Sequence, residues 1–119
     1  MGTGEPIHAT AFRYHSMGCM LLGASGTGKS RLLAEAMLHG AHLIGDDRVL
    51  LSSVGGHLVA SPVPQLSGVV ELRGFGLITC PDAVESHPIH LIVELTPDAK
   101  TRLPEPQTRE YLGVSVPYL

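Results

Sequence analysis

The 119-residue sequence has no tryptophan, and aromatic residues make up only 4% of it. Hydrophobic residues nevertheless account for 44% of the chain, so its core must be built from leucine, valine, isoleucine and alanine, as in proteins of alternating strands and helices. This apolar content excludes an intrinsically disordered chain. The length leaves room for a single domain, spanning 1–119, with one modest core.

Positive charge is also scarce in this chain. Its eight lysine and arginine residues are scattered, and the net charge is -3, which argues against partners such as duplex nucleic acid or an anionic membrane. No apolar run approaches the roughly 18 residues of a membrane-spanning helix, and residues 1–5 carry no pattern of a secretory signal. Because the two cysteines, Cys19 and Cys80, are isolated in apolar surroundings, we expect reduced, buried thiols in a cytoplasmic protein.

The hydrophobic pattern predicts strands around one helix. Residues 5–15 alternate loosely in polarity and predict an edge or half-exposed strand, whereas 17–22 is a continuous apolar run typical of a strand buried on both faces. Apolar residues recur with a helical period over 29–39, and Gly40 is placed to end that helix. Further strands are expected at 41–44, 49–53, 57–60, 69–73 and 89–95.

Prolines concentrate near the end of the sequence. Four of them, Pro97, Pro104, Pro106 and Pro117, follow Thr96 and are interspersed with charged residues. We therefore predict a long loop there, with 1–6 and about 97–119 mobile around the domain.

The strongest motif is Gly-Ala-Ser-Gly-Thr-Gly-Lys-Ser at residues 23–30, a full match to the phosphate-binding loop pattern. Its glycines allow backbone N–H groups to wrap a phosphate where a Cβ would obstruct it. Lys29 adds a charge for the outer phosphates, and Ser30 can ligate Mg²⁺ at a helix N-terminus that favours anions. The alternative is an ordinary glycine-rich turn. The predicted nucleotide-binding residues are Gly23, Ala24, Ser25, Gly26, Thr27, Gly28, Lys29 and Ser30.

Two adjacent carboxylates, Asp46 and Asp47, follow the strand that comes after the helix. Ligand groups collect at such strand ends in open α/β sheets. In phosphoryl transfer one carboxylate can accept a hydroxyl proton while another holds the metal. The alternative is a solvated turn or a helix cap, which is common for aspartate beside glycine.

The residues His8 and Glu71 could not be chosen from composition alone. His8 is one of seven histidines, and a lone histidine on a strand is usually a surface or core residue. Glu71 and Arg73 flank Leu72 on one strand, so they point to the same face and could form an ordinary ion pair.

Taken in order, His8, the loop at 23–30, the Asp46-Asp47 pair and Glu-Leu-Arg-Gly-Phe-Gly-Leu-Ile at 71–78 resemble the catalytic domain of HPr kinase/phosphorylase. This bifunctional enzyme acts on a serine of the phosphocarrier protein HPr. The element at 71–78 is the most discriminating, because a phosphate loop alone is shared by many NTPases. The similarity runs from about His8 to Arg102 and looks closest to short proteobacterial members that lack the family's extra N-terminal domain.

The resemblance implies an α/β fold, a P-loop-containing sheet with few helices, related to the phosphoenolpyruvate carboxykinase-type P-loop fold. It also implies roles for particular residues. His8 would be the active-site histidine near the phosphate, Lys29 would bind the β- and γ-phosphates, and Asp47 would exchange the proton of the HPr serine. The Mg²⁺ site would comprise Ser30, Asp46 and Glu71, and Arg102 matches a catalytic arginine that follows the last long strand.

The expected activity is therefore ATP- and Mg²⁺-dependent serine phosphorylation of HPr in the cytoplasm, together with reverse phosphorolysis. Pyrophosphate is an alternative donor in the family, and a homo-oligomer, a hexamer in the full-length family, is a further expectation. Two rivals stay open. One is a non-catalytic ATP-binding regulatory module, and the other is a small-molecule P-loop kinase, which would need a lid domain that this length hardly allows.

Overall fold

The computed structural model describes residues 6–24, 26–72, 76–96 and 107–119. Over these ranges the chain is mostly strand, with a single α-helix and one 3₁₀ turn at Pro64–Leu66. In chain order the elements are β1 (Ile7–His8), β2 (Thr10–Tyr14), β3 (Met17–Leu22), α1 (Lys29–Leu38), β4 (His42–Gly45), β5 (Arg48–Val54), β6 (His57–Pro62), β7 (Val69–Leu72), β8 (Gly76–Thr79), β9 (His87–Pro88), β10 (Leu91–Glu94), β11 (Gln107–Tyr111) and β12 (Val114–Tyr118).

A six-stranded mixed sheet forms the centre, in the order β11-β12-β10-β3-β2-β4. Strand β10 runs parallel to β3 and β12, whereas β2 is antiparallel to both of its neighbours, β3 and β4. Strands β3, β4 and β10 therefore terminate at the same end of the sheet, where β2 begins. We call this the site end of the sheet.

The second layer is the four-stranded sheet β1-β5-β6-β9, which covers one face of the central sheet. Successive side chains of a strand point to opposite faces, and in β3 it is Met20 and Leu22 that point toward this layer. They join one core cluster with Val49 and Leu51 of β5 and Leu58 of β6. Sheet-on-sheet burial of these aliphatic side chains positions β1 and β5 beside the site end.

The third layer, on the opposite face, contains α1 and the two-stranded sheet β7-β8. Cys19 and Leu21 of β3 face this side, where they form a second core cluster with Leu33 of α1, Val70 of β7 and Cys80. Both cysteines are free and buried, as the sequence predicts. The helix of 29–39 is also confirmed, because α1 ends at Leu38 and Gly40 follows with a φ of 98°.

Two sequence predictions are wrong in part. Residues 5–15 contain two strands, of which β1 is an edge strand of its sheet as expected, whereas β2 lies between β3 and β4 and its first three residues are buried. The long loop predicted after Thr96 is also wrong for residues 107–119, which form the hairpin β11-β12. Residues 97–106 lie outside the described ranges. Among the helices of the described ranges, none is long and apolar enough to cross a membrane.

Candidate functional site

The glycine-rich loop leaves β3 at the site end of the sheet and leads into α1. Gly23, Gly26 and Gly28 have φ values of 144°, 86° and 98°, the region that glycine adopts without steric cost. A Cβ on Gly23 would also lie 2.6 Å from the carbonyl oxygen of Leu95, so this position excludes any side chain. The backbone conformation of this loop therefore explains why the motif has glycine at these three positions.

Lys29 is the first residue of α1 and is buried, with 7% of its surface exposed. Its ammonium donates hydrogen bonds to the carbonyl oxygens of Gly23 and, at 3.1 Å, Ala24. The loop is tightened further by Thr27, whose hydroxyl donates to the Ala24 carbonyl at 2.7 Å. These two bonds use two of the three donors of the ammonium.

Asp46 follows β4 at the same end of the sheet and points inward. It is only 6% exposed, yet its Oδ1 accepts hydrogen bonds from two hydroxyls, Thr10 at 2.9 Å and Ser30 at 3.3 Å. Burial, and after it the charge of Asp46, raises the pKa of the Cys80 thiol, which stays protonated at neutral pH. The hydrogen bond from Ser30 links the buried carboxylate of Asp46 directly to the first turn of α1.

Asp47 points the other way, toward solvent. Its Oδ1 lies 2.9 Å from Nε2 of His8, and the two side chains are 62% and 46% exposed. A carboxylate oxygen accepts hydrogen bonds, so the Nε2–H of His8 donates this bond. The bond engages Oδ1 of Asp47 and not Oδ2. The adjacent acids therefore divide into a buried one facing Ser30 and an exposed one facing His8.

The oxygen donors at this place suit a magnesium ion. Ser30 Oγ and Asp46 Oδ1 lie 3.3 Å apart, and Mg²⁺ prefers one or two such protein oxygens combined with water and phosphate oxygens. In the described part of the chain, no group of three or more His, Cys, Asp or Glu side chains could hold a metal ion by itself. Ser30 and Asp46 could therefore supply two oxygen ligands to such an ion.

Not every predicted site residue can be located. Glu71 lies on β7 opposite Leu77 of β8, but its side chain is not described, and Ser25, Arg73 and Arg102 fall outside the described ranges. His8, Lys29, Ser30, Asp46 and Asp47, with the loop glycines, are brought together at the site end of the sheet. Their roles stay predictions.

Two features at this end of the sheet could not be predicted from the sequence. Thr10 is fully buried and bonds to both members of the acid pair. Its one sequence signal is a lone hydroxyl between Ala9 and Ala11, two residues after His8.

The second feature joins β12 to β10. Tyr118 donates a hydrogen bond to Glu94, which raises the pKa of Tyr118. Arg109 lies 4.3 Å from the Tyr118 ring centroid. This second group fastens the β11-β12 hairpin beside β10.

Taken together, the fold and the site define a class of α/β protein in which a mostly β architecture carries a glycine-rich loop, one helix and an acid pair at the end of a mixed sheet. The family model described as HPr Serine kinase C-terminal domain matches residues 1–119. The chain belongs to this family.

Known proteins agree with this assignment. A protein named HPr kinase/phosphorylase from Malacoplasma penetrans is 32% identical over 126 aligned residues, which cover 96% of this chain and 42% of the relative. A protein of the same name from Leptospira biflexa is 31% identical over 94% of this chain and 39% of its own length. The chain thus spans about two fifths of these relatives.

A solved structure shares the fold as well. The Hpr(Ser) kinase/phosphatase from Coxiella burnetii superposes with a TM-score of 0.88 at 27% sequence identity, covering 97% of this chain and 83% of that chain. The fold expected from the sequence, a sheet-rich α/β fold with few helices, is confirmed at this level.

Proposed function

We propose that this chain transfers a phosphoryl group from ATP, with Mg²⁺, to a seryl hydroxyl of the phosphocarrier protein HPr. The family and the names of the relatives support the acceptor. The observation that carries the reaction is the division of the acid pair, in which Asp46 faces Ser30 inside the protein and Asp47 faces solvent beside His8. This division supports a metal-binding role for Asp46 and a role toward an incoming protein substrate for Asp47.

The glycine-rich loop would hold the triphosphate in the manner of a P-loop, and the fold would be related to the phosphoenolpyruvate carboxykinase type. The first N–H groups of a helix have no partner within it, and the helix dipole favours an anion there. In α1 the first such intrahelical bond joins the N–H of Leu32 to the carbonyl of Gly28 at 2.9 Å. The N–H groups ahead of Leu32, with the ammonium of Lys29, would bind the β- and γ-phosphates.

Ser30 and Asp46 would hold the magnesium ion, with Glu71 as a further ligand. Because the Ser30 hydroxyl donates its hydrogen to Asp46, the lone pairs of Ser30 Oγ are left for a cation. When bound, the ion neutralises charge on the transferred phosphoryl group. Asp46 in turn keeps the hydroxyl of Ser30 in this orientation.

Asp47 would act as the general base. Its Oδ2 accepts the proton of the seryl hydroxyl as the serine oxygen bonds to the γ-phosphorus and the bond to the leaving ADP oxygen breaks. His8 holds the other carboxylate oxygen at 2.9 Å and so fixes the direction of Oδ2. In the reverse phosphorolysis, an oxygen of inorganic phosphate would attack the phosphorus of the seryl phosphate, the bond from that phosphorus to the serine oxygen would break, and pyrophosphate would form. Asp47, protonated by the attacking phosphate, would return the proton to the serine oxygen.

The remaining expectations belong to this proposal. Arg102 would contribute a positive charge to the transition state, pyrophosphate would serve as an alternative donor, and the full protein would form homo-oligomers. A cytoplasmic location fits the free thiols of Cys19 and Cys80, since such thiols persist in reducing compartments.

The test uses labelled ATP, Mg²⁺ and purified HPr, followed by mapping of the labelled residue. We expect label on a seryl side chain. Asp47→Asn should retain ATP affinity in calorimetry while the transfer rate falls by about 10²–10⁴, the usual contribution of a positioned acid or base. Asp82→Asn, a change of another exposed aspartate, is the matched control and should behave as wild type.

The alternatives give different results in the same assay. A non-catalytic nucleotide-binding module would bind ATP but leave HPr unlabelled with wild type and both variants. A solvated-turn Asp47 would give equal transfer rates for wild type and Asp47→Asn. Either outcome would refute the proposal.

A further inference from the structure

Thr10 is a buried polar residue to which the proposed mechanism gives no role. It opens β2 at the site end of the sheet and has no exposed surface. Its hydroxyl donates a hydrogen bond to Asp46 Oδ1 at 2.9 Å and accepts one from the backbone N–H of Asp47 at 3.3 Å. One hydroxyl group therefore contacts both members of the acid pair.

The backbone at Asp47 needs such support. Its φ is 70°, a left-handed conformation that non-glycine residues rarely adopt and that recurs at functional sites. Three consecutive residues, 8–10, form hydrogen bonds to Asp47. His8 binds its side chain, the N–H of Ala9 donates to its carbonyl at 3.1 Å, and Thr10 accepts its N–H. This conformation is what turns Asp47 outward immediately after Asp46 turns inward.

Only a side chain that donates and accepts at once can serve both acids from this position. A hydroxyl does so, whereas the methyl group of an isosteric valine does neither. Valine at this place would fill the same buried volume but would remove one of the two hydroxyl donors to Asp46 Oδ1 and leave the Asp47 N–H without its acceptor. Threonine at this position is therefore explained by its hydrogen bonds to Asp46 and Asp47, and not by packing alone.

We propose that Thr10 is a positioning residue for phosphoryl transfer, which fixes Asp46 toward Ser30 and holds Asp47 in the strained conformation that presents its carboxylate to the substrate. The inference rests on the proposed function for the reaction itself. The hydrogen bonds that carry it can be tested without activity.

The experiment compares Thr10→Val and Thr10→Ser with the wild-type chain. Thr10→Val should lower kcat for HPr phosphorylation by about 10–100-fold, as loss of an outer-shell partner typically does, with the KM for ATP little changed. Thr10→Ser keeps the hydroxyl and should restore most of kcat. The matched control is Thr108→Val, since Thr108 is an exposed strand threonine on β11 and its substitution should leave kcat unchanged.

Amide hydrogen exchange of Asp47, followed by NMR in the absence of nucleotide, supplies the second readout. Exchange of this N–H should accelerate in Thr10→Val and stay close to wild type in Thr10→Ser, while the amides of the β5-β6 hairpin stay protected in both. Melting curves establish that each variant is folded. This readout moves only if the hydroxyl of Thr10 holds the Asp47 backbone.

The outcomes separate the two proposals. If wild type itself does not phosphorylate HPr, the proposed function fails, and the Asp47 amide alone decides whether Thr10 holds the acid pair. If wild type is active but Thr10→Val keeps its kcat, or Thr10→Ser is as slow as Thr10→Val, the positioning role is overturned. Unchanged exchange of the Asp47 amide in Thr10→Val would overturn it as well.

Discussion

The left-handed backbone of Asp47 makes a prediction about stability that does not depend on any assay of activity. Replacing Asp47 by glycine and by alanine removes the carboxylate and its bond to His8 in both cases, so that loss cancels between the two variants. They then differ in the cost of a φ of 70°. We expect Asp47→Gly to be the more stable variant.

The size of the difference follows from two opposing terms. A residue with a Cβ pays about 1–2 kcal/mol in the left-handed region. Glycine avoids that cost but loses more backbone freedom on folding, which costs about 0.5–1 kcal/mol relative to alanine. The net advantage of Asp47→Gly over Asp47→Ala is therefore about 1 kcal/mol. With a urea m-value of about 1–3 kcal/mol/M, this shifts the unfolding midpoint by about 0.5 M.

Urea unfolding followed by circular dichroism measures this shift, and Asp82 supplies the control. Asp82 is also exposed, but it is not among the described residues with positive φ. There the order should reverse, with Asp82→Ala more stable than Asp82→Gly. If Asp47→Ala proves as stable as Asp47→Gly while the Asp82 pair behaves as expected, the backbone at Asp47 is not strained and the reasoning fails.

Four further predictions concern the loop, the metal, the sheet and a thiol. Lys29→Met should abolish measurable ATP binding in calorimetry, and an unchanged affinity would contradict its placement at the phosphates. Ser30→Ala should raise the Mg²⁺ concentration for half-maximal transfer; an overlaid titration would exclude it as a ligand. Gly18→Ala would place a Cβ 1.9 Å from the carbonyl oxygen of Pro88, so thermal unfolding should show a loss of at least about 1–3 kcal/mol, and an unchanged melting temperature would contradict this packing. Burial raises the pKa of Cys19 from 9.0 to about 11, so at pH 8 its labelling by a disulfide reagent should be about 100-fold slower in the native chain than after unfolding; equal rates would contradict it.

The parts of the fold that could be predicted from sequence are those set by local chemistry. The start of α1 at Lys29 and the strands expected at 49–53 and 57–60 follow from residue type and hydrophobic period, and the structure has all three. The fold class followed from the resemblance of motifs rather than from periodicity. Strand neighbours could not be predicted, because alternation over residues 5–15 says which side chains are buried but not which strands lie alongside.

The terminal hairpin was mispredicted for a related reason. Proline has no N–H for a sheet ladder, so a segment rich in proline predicts a loop. Pro117 nevertheless lies on β12, opposite Thr108 of β11, and the pairing of β12 with β10 begins only at the next residue, Tyr118, opposite Ile92. Backbone hydrogen bonds of Leu119 to Ile92 and Glu94 and the contact of Arg109 and Tyr118 with Glu94 join the hairpin to β10. Residues so far apart in the chain give no local signal.

The site itself depends on the direction of one strand. In an all-parallel sheet, residues that precede a strand and residues that follow its neighbour lie at opposite ends. Here β2 is inserted antiparallel beside β4, so the residues ahead of β2 meet the residues after β4. That is why His8 reaches Asp47 across 39 positions of sequence. The register also shifts between Ala11 and Phe12, and such bulges re-aim side chains near active sites. Spacing predicts the acid pair, but the antiparallel strand supplies the partners that make its two carboxylates different.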